Sequence, residues 1–162
     1  MAFRQFEISE TLGQLNSIAP AGYALGIHIE YTTPKFMFQT YPKDWLDYYS
    51  RNGLLMSDPM VAWAFQTEGA KRWSDLDDPA EVMTKAAEYG LKYGVVISTE
   101  SNDSRTICGF ANADREFTDE EIATLETLVT QIHDNTADTA QLDAQTVEQL
   151  KKMSIMVTHP GT

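Results

Sequence analysis

Polar-tipped aromatic side chains cluster between residues 41 and 73, and one aspartate lies among them. They are Tyr41, Trp45, Tyr48, Tyr49, Trp63 and Trp73, with Asp58. A buried tyrosine or tryptophan needs a partner for its O–H or N–H, so this group is typical of a pocket for a molecule with polar and apolar parts. Each residue alone could equally be an ordinary core or surface aromatic. Asp58, which precedes Pro59, is also a good helix N-cap without any ligand.

Residues that could catalyse a reaction form no recognisable set. The sequence has no G-x-S-x-G, P-loop, G-x-G-x-x-G or H-E-x-x-H motif. Its histidines stand far apart, at His28, His133 and His159. None has a second ligand at metal spacing, and Cys108 falls in a predicted strand, where a cysteine behaves as a small apolar residue. We therefore predict no catalytic residue, no metal site and no cofactor.

The net charge of the chain indicates which classes of partner it can bind. Twelve basic residues face 24 acidic ones, which gives a formal charge of −12. Nucleic-acid binding depends on Lys and Arg contacts with phosphate, and anionic membranes attract the same residues. We therefore expect no DNA binding by this chain alone and no membrane association. No stretch reaches the roughly 18 apolar residues of a membrane span.

The N-terminus and the cysteine count favour a cytoplasmic protein. The first eight residues lack the basic start, apolar middle and small-residue cleavage site of a secretory signal. The single cysteine can form no internal disulfide, as is usual in a reducing compartment. The hydrophobic fraction of 43% indicates a globular chain.

The elements that position the aromatic group are predicted from periodicity. Two β-hairpins are expected, from residues 22–31 with 35–40 and from residues 91–99 with 105–112. Helices are expected over residues 3–17, from Pro42 to Asn52-Gly53, from Asp58-Pro59, from Asp78-Pro79 to Gly90, and after Thr118. The last is the clearest, because Thr118 to Glu121 matches a capping box before apolar residues at helical spacing. This order predicts an α/β/α sandwich around a mainly antiparallel, about five-stranded sheet.

The spacing of these residues resembles that of LuxR-type acyl-homoserine-lactone receptors. The family pattern of Tyr, three residues, Trp, twelve residues and Asp-Pro is met by Tyr41, Trp45, Asp58 and Pro59, with a second Trp at Trp73. A later pattern of Ala, three residues, Gly-Leu, two residues and Gly is met by Ala86, Gly90, Leu91 and Gly94. Gly109 fits a glycine that precedes a small polar pocket residue. The resemblance covers residues 41 to 112, and the family's architecture is also α/β/α.

The resemblance implies a role for each residue of the group. The Trp45 indole N–H would donate to a lactone carbonyl, and the Tyr41 hydroxyl would donate to the amide carbonyl. Asp58 would accept from the amide N–H. Trp73 and Tyr49 would wall the lactone head.

Three positions depart from the family pattern. Val82 stands where the family has Phe, Ser98 where it has Pro, and Asn112 where it has a small hydroxyl residue of the pocket. Asn112 can still donate to a carbonyl but is bulkier, so it would change which acyl substituent is accepted. The sequence therefore does not predict the length or substitution of the ligand's acyl tail.

We divide the chain into an autoinducer-binding domain, residues 1–135, and a tail, residues 136–162. The tail is a linker or the truncated start of a helix-turn-helix domain, since residues 142–150 faintly resemble the first helix of such a domain. A natural sensor-only protein, or a docking helix, would explain it equally well.

Two functional hypotheses of different classes follow. The first is a sensor domain of a quorum-sensing regulator that binds an N-acyl-homoserine lactone and forms a homodimer. The alternative is a ligand-free interaction domain that heterodimerises with a full-length LuxR-type regulator and inhibits it. A lactonase or acylase ranks below both, because no activated nucleophile or metal set is visible.

Overall fold

The computed structural model describes residues 8–30 and 33–137. The strands in these ranges are β1 Gly22–Glu30, β2 Thr33–Gln39, β3 Gly69–Arg72, β4 Tyr93–Ser101 and β5 Ser104–Asn112. The α-helices are α1 Ile8–Ile18, α2 Lys43–Arg51, α3 Pro59–Gln66, α4 Val82–Ala87 and α5 Asp119–Asn135. Short 3₁₀ turns cover Leu54–Ser57 and Trp73–Asp75. The predicted linker or truncated domain lies outside the described residues, except for residues 136 and 137 at the end of α5.

The strands form one sheet in the order β2-β1-β5-β4-β3, with every neighbouring pair antiparallel. Both predicted hairpins are confirmed, and they meet at the centre of the sheet, where Gly22 lies opposite Ala111. The sequence carries no clear signal for β3, because Gly-Ala-Lys-Arg lacks the β-branched and aromatic residues that favour strands. The strand forms by pairing along β4, from Gly69 opposite Ser98 to Arg72 opposite Val95.

One face of the sheet packs against α1 and α5. Leu25, Cys108 and Phe110 from the central strands are at most 1% exposed, and they share a core with Leu125 and Val129 of α5. Each large apolar side chain buried in this way contributes about 1.5 to 3 kcal/mol. This face therefore holds the main core of the domain.

The opposite face packs against the elements between β2 and β4. Trp45 of α2, Trp73 and Ala86 of α4 form a second cluster with Ala111 of β5. Helices thus lie on both faces of a five-stranded antiparallel sheet, which confirms the predicted layers and strand number.

The capping box of α5 is present as predicted. The Thr118 hydroxyl accepts from the Glu121 amide at 3.1 Å, and the Glu121 carboxylate accepts from the Thr118 amide at 2.9 Å. Arg115 donates to both carboxylate oxygens of Glu121, at 2.8 and 2.9 Å. Those bonds from Arg115, followed by the one from Thr118, lower the pKa of Glu121 to about 2.

The start of α4 differs from the prediction. The helix begins at Val82, three residues after Pro79, because the chain first makes a turn in which Glu81 adopts a left-handed conformation with φ 58°. Asp78 still caps the helix across this turn, since its carboxylate accepts from the amides of Val82 at 2.9 Å and Met83 at 2.8 Å. The predicted glycine stop is confirmed by Gly90, which has φ 88°.

A bulge in β1 places two buried histidines against each other. His28 has φ 52°, and the register of β1 with β5 shifts between Gly26 and Ile29. The His28 Nε2–H donates to the carbonyl of His133 at 2.7 Å, and the two rings stack with centroids 4.2 Å apart. This agrees with the prediction that His28 is a packed residue.

Hydroxyl groups complete the hydrogen bonding of both rings. Ser104 lies 2.6 Å from His28 Nδ1, whereas Thr106 and Ser101 lie 2.6 and 2.8 Å from the two ring nitrogens of His133. Burial lowers the pKa of both histidines. The neutral pair therefore ties the β1 bulge and the β4–β5 hairpin to the end of α5.

Among the helices that the structure describes, none is long and apolar enough to cross a bilayer.

Candidate functional site

The two faces of the central strands are covered unequally. Cys108 and Phe110 of β5 are fully buried under α1 and α5, whereas Ile107 and Gly109, whose positions alternate with them, are only partly buried. Ala24, opposite Gly109 on β1, is also partly buried. Because these strands lie at the centre of the sheet, partial exposure here indicates a cleft between the sheet and α2 to α4.

Tyr41 reaches into the cleft over β5. A Cβ atom at Gly109 would lie 2.9 Å from the Tyr41 hydroxyl oxygen, and no other heavy atom of the described residues outside its chain neighbours would lie within 4 Å. Gly22, with φ 134°, lets the Tyr41 ring pack against β1, because a Cβ there would lie 2.8 Å from Cδ1 of that ring. The hydroxyl therefore stands beside open space in the interior, and burial raises its pKa.

Asp58 is held at the start of α3 by two hydrogen bonds. Its Oδ1 accepts from the Met60 amide at 2.9 Å, and its Oδ2 accepts from the Tyr49 hydroxyl at 2.7 Å. The predicted N-cap is thus present, and Tyr49 adds a second partner. The pKa of Asp58 is raised by burial, although the hydrogen bonds from Tyr49 and the backbone oppose that shift. The Asp58 charge in turn contributes to the raised pKa of Tyr41 and Tyr49.

Trp45 forms one wall of the site together with other aromatic residues. Its ring is buried, and its centroid lies 5.7 Å from that of Tyr49, 6.1 Å from Tyr48 and 5.5 Å from Tyr89. Lys85 of α4 lies above the Tyr48 ring, with its Nζ 4.9 Å from the centroid. These contacts fix Trp45 in one orientation. Tyr89 is not among the predicted site residues, and its only sequence signal is its place directly before the predicted helix stop.

Trp73 packs flat on the sheet beside β4. A Cβ atom at Gly94 would lie 2.2 Å from the indole ring, so only glycine permits this approach. The ring is 3% exposed, and its Nε1 is buried without a hydrogen-bond partner among the described residues. A buried, unpaired donor costs about 1 to 3 kcal/mol, so the Trp73 N–H is available to an acceptor.

Asn112 lies apart from the other predicted site residues. It is the last residue of β5, opposite Tyr93, and is buried. Ala111 packs with Trp45 and Trp73, so strand alternation places Asn112 on the same face as Phe110. The structure therefore brings Tyr41, Trp45, Tyr49, Asp58 and Trp73 to one side of the sheet, and the alternation favours Gly109 and Ala111 over Asn112 as the β5 positions on that side.

Arg105, four residues before Gly109 on β5, makes hydrogen bonds to α3 and β4. Its guanidinium donates to the carbonyls of Ala64 at 2.7 Å and Thr67 at 3.1 Å, at the end of α3. It also donates to the hydroxyl of Ser98 and the carboxylate of Glu100, both at 2.7 Å. The arginine therefore joins β5 and β4 to α3.

The described part of the chain contains no group of three side chains with metal-ligand chemistry. The polar groups of the cleft are instead hydrogen-bond donors and one carboxylate. Such a set can hold a neutral molecule that has both acceptors and a donor.

Comparison with protein families gives one match, to the autoinducer binding domain, over residues 21–136. No curated protein matches the chain significantly.

Several solved structures share the fold. SdiA in complex with octanoyl-rac-glycerol is 22% identical with a TM-score of 0.60, over 79% of this chain and 58% of that one. The N-acylhomoserine lactone dependent LuxR family factor CepR2 from Burkholderia cenocepacia is 15% identical, TM-score 0.53, over 74% and 73%. The VqsR LBD domain from Pseudomonas aeruginosa is 17% identical, TM-score 0.51, over 85% and 98%. This chain thus spans less than two thirds of that SdiA chain.

Proposed function

Because the chain belongs to the autoinducer-binding domain family of LuxR-type quorum-sensing regulators, a family of ligand sensors and not of enzymes, we propose that its own ligand is an N-acyl-homoserine lactone. One observation carries this proposal. The Tyr41 hydroxyl lies at the open face of Gly109, and the buried Asp58 carboxylate lies close enough for its charge to contribute to the raised pKa of Tyr41. A secondary amide presents one acceptor and one donor, which are the complements of these two groups.

Each group of the site has a defined part in the proposed complex. Asp58 accepts from the ligand amide N–H, and Tyr41 donates to the amide carbonyl. Trp45 donates its indole N–H to the lactone carbonyl, while Tyr49 holds Asp58 in position and Trp73 covers the lactone ring. A neutral hydrogen bond contributes about 0.5 to 1.5 kcal/mol, and one to the carboxylate about 1.5 to 3.

The acyl chain lies over the apolar part of the cleft in this proposal. Ala24 and Ile107 are partly buried there, so a chain placed against them removes apolar surface from water. Each methylene buried in this way adds up to about 0.8 kcal/mol. A ligand bound inside the fold also stabilises the domain by mass action, and this stabilisation would favour the proposed homodimer of a regulator.

A thermal-unfolding titration tests the proposal. We expect acyl-homoserine lactones to raise the melting temperature of the purified chain in proportion to the logarithm of their concentration. The panel includes octanoylglycerol, which lacks an amide N–H, so a larger shift with the lactone of equal chain length supports the role given to Asp58. Mass spectrometry of an organic extract detects any ligand that was purified with the protein.

The absence of any shift, together with an empty extract, would contradict the receptor hypothesis. The ligand-free interaction domain would then be the better hypothesis. Co-purification with a full-length LuxR-type regulator would be its test.

A further inference from the structure

We propose that Arg105 and Ser98 form a polar barrier that ends the cleft and sets the longest acyl chain this domain accepts. The inference rests on the proposed function, because it assigns a part of the same site. It concerns the end of the cleft farthest from Asp58, for which the resemblance to the family implies no residue.

The barrier is continuous from the sheet to α3. Arg105 lies two residues before Ile107 on the same face of β5, and its guanidinium reaches across β4 to the end of α3. Ser98 of β4 donates its hydroxyl to the Ala64 carbonyl at 2.7 Å, so two donors meet on one buried carbonyl. The Arg105 side chain is 16% exposed, which places most of it inside the molecule.

The β1 side of the barrier is closed by Ile29. The bulge at His28 brings Ile29 opposite Arg105 in the sheet. Its side chain lies over Gly26, where a Cβ atom would be 3.4 Å from Ile29 Cδ1. The floor of the cleft therefore ends at neighbouring positions on three strands, with Ile29 on β1, Arg105 on β5 and Ser98 on β4.

Methylenes cannot displace this barrier without leaving polar groups unpaired. Moving Arg105 would break its bonds to two carbonyls, to Ser98 and to Glu100. Bonds of this kind to a charged donor are stronger than neutral ones, and one more buried methylene does not compensate for their loss. Ser98 is one of the positions that depart from the family pattern, where Pro could not make the bond to Ala64. The barrier is thus a feature of this chain.

Two measures of length give the space that remains. From Asp58 to Ala64, six residues along α3 span about 9 Å. From Gly109 to Arg105, four residues along β5 span about 13 Å. An extended alkyl chain with bonds of about 1.5 Å advances about 1.25 Å per carbon, so roughly seven to ten carbons fit before the barrier.

The test measures the dissociation constants of unbranched acyl-homoserine lactones of increasing chain length. For the wild-type chain we expect affinity to rise about fourfold per methylene, and to stop rising at roughly seven to ten carbons. Arg105→Met keeps an unbranched side chain but removes the charge and every donor, so the maximum should move to chains at least two carbons longer. Arg115→Met is the matched control, because Arg115 pairs with Glu121 at the surface and lies on no wall of the cleft.

A second variant works from inside the cleft. Ile107→Phe adds volume before the barrier without removing any hydrogen bond, so the maximum should move to shorter chains. This variant decides the matter if Arg105→Met does not fold.

The outcomes separate the two levels of the proposal. A maximum at the same length in the wild type, Arg105→Met and Ile107→Phe would overturn the barrier while leaving the lactone site intact. Failure of every lactone to bind the folded wild-type chain would contradict the proposed function, and the barrier would lose its ligand with it.

Discussion

Asp58 caps α3 and is proposed to bind the ligand, and one substitution can separate these two roles. Asn caps a helix about as well as Asp, so Asp58→Asn should keep the bond from the Met60 amide. The neutral amide is a weaker acceptor for the ligand N–H, and we expect a loss of about 1 to 3 kcal/mol in lactone affinity. Calorimetric titration measures this loss, and denaturation of the ligand-free chain measures the fold.

Asp78→Asn is the matched control, because Asp78 also caps a helix through backbone amides. It should change affinity far less than Asp58→Asn does, because Asp78 acts on Asp58 through its charge, which contributes to the raised pKa of Asp58. Equal affinities in both variants and in the wild type would return Asp58 to a purely structural role.

If Asp58 binds the ligand as proposed, its raised pKa should make ligand binding depend on pH. Burial raises the pKa of Asp58 in the free protein, whereas an N–H donor from the ligand bonds more strongly to the ionised carboxylate. Affinity should therefore be highest above the raised pKa and should fall as the pH decreases through it. Titrations from neutral to acidic pH check this expectation, and the slope should be absent in Asp58→Asn. An affinity that rises on acidification would contradict the proposal that the ionised Asp58 carboxylate accepts from the ligand N–H.

The spacing predicts residues that the structure brings to one side of the sheet, but not which way every side chain faces. Tyr41, Trp45 and Asp58 follow from their resemblance to the family spacing, and their contact with a ligand stays a prediction. Which face of the sheet Asn112 occupies depends on which β5 residues pack in each of the two hydrophobic clusters, and the spacing of residues in the sequence does not give this. The Arg105 bond to the Ala64 carbonyl joins residues 41 positions apart in the chain, so only the fold reveals it.

At the scale of single elements, α5 offers the best test of local sequence signals. Thr118→Ala removes the cap and should cost about 1 kcal/mol of folding stability, as other N-cap truncations do. Thr124→Ala on the same helix is the control, since its exposed hydroxyl only bonds back to the Glu120 carbonyl. Urea denaturation compares the two. A loss in Thr124→Ala as large as that in Thr118→Ala would show that capping is not the cause.

Elements without strong local signals were predicted less well, for physical reasons. β3 has four residues and no apolar alternation, so its strand conformation comes from pairing with β4. The predicted start of α4 was early because Asp78-Pro79 also fits a turn, and the left-handed Glu81 completes that turn before the helix begins. Both cases show tertiary contacts or turn geometry overriding a local preference.

The whole molecule carries a charge of −12, and this predicts its behaviour toward nucleic acid. We expect no measurable binding of the purified 162-residue chain to duplex DNA at physiological salt, with or without lactone, because phosphate contacts supply most of such affinity. Fluorescence anisotropy with a labelled duplex is the measurement. Tight binding that weakens steeply with salt would contradict this expectation.

The stacked histidines make unfolding of this protein a proton-consuming reaction. His28 and His133 are neutral in the fold, with pKa values below the ordinary 6.5, and Lys35 and Asp134 are the charged groups that act on them. In the unfolded chain both imidazoles regain that ordinary value and bind protons near it. The stability they contribute is therefore full above pH 6.5 and declines as the pH falls below it.

Stability curves between pH 7.5 and about 5.5 measure this uptake of protons. His28→Asn should reduce the slope, because asparagine tolerates the left-handed backbone of the bulge but does not titrate. A slope that is unchanged by this substitution would show that the protons are taken up elsewhere. If the slope falls, protonation of this histidine pair destabilises the fold as the pH decreases, and pH becomes a second input to a domain whose family senses small ligands.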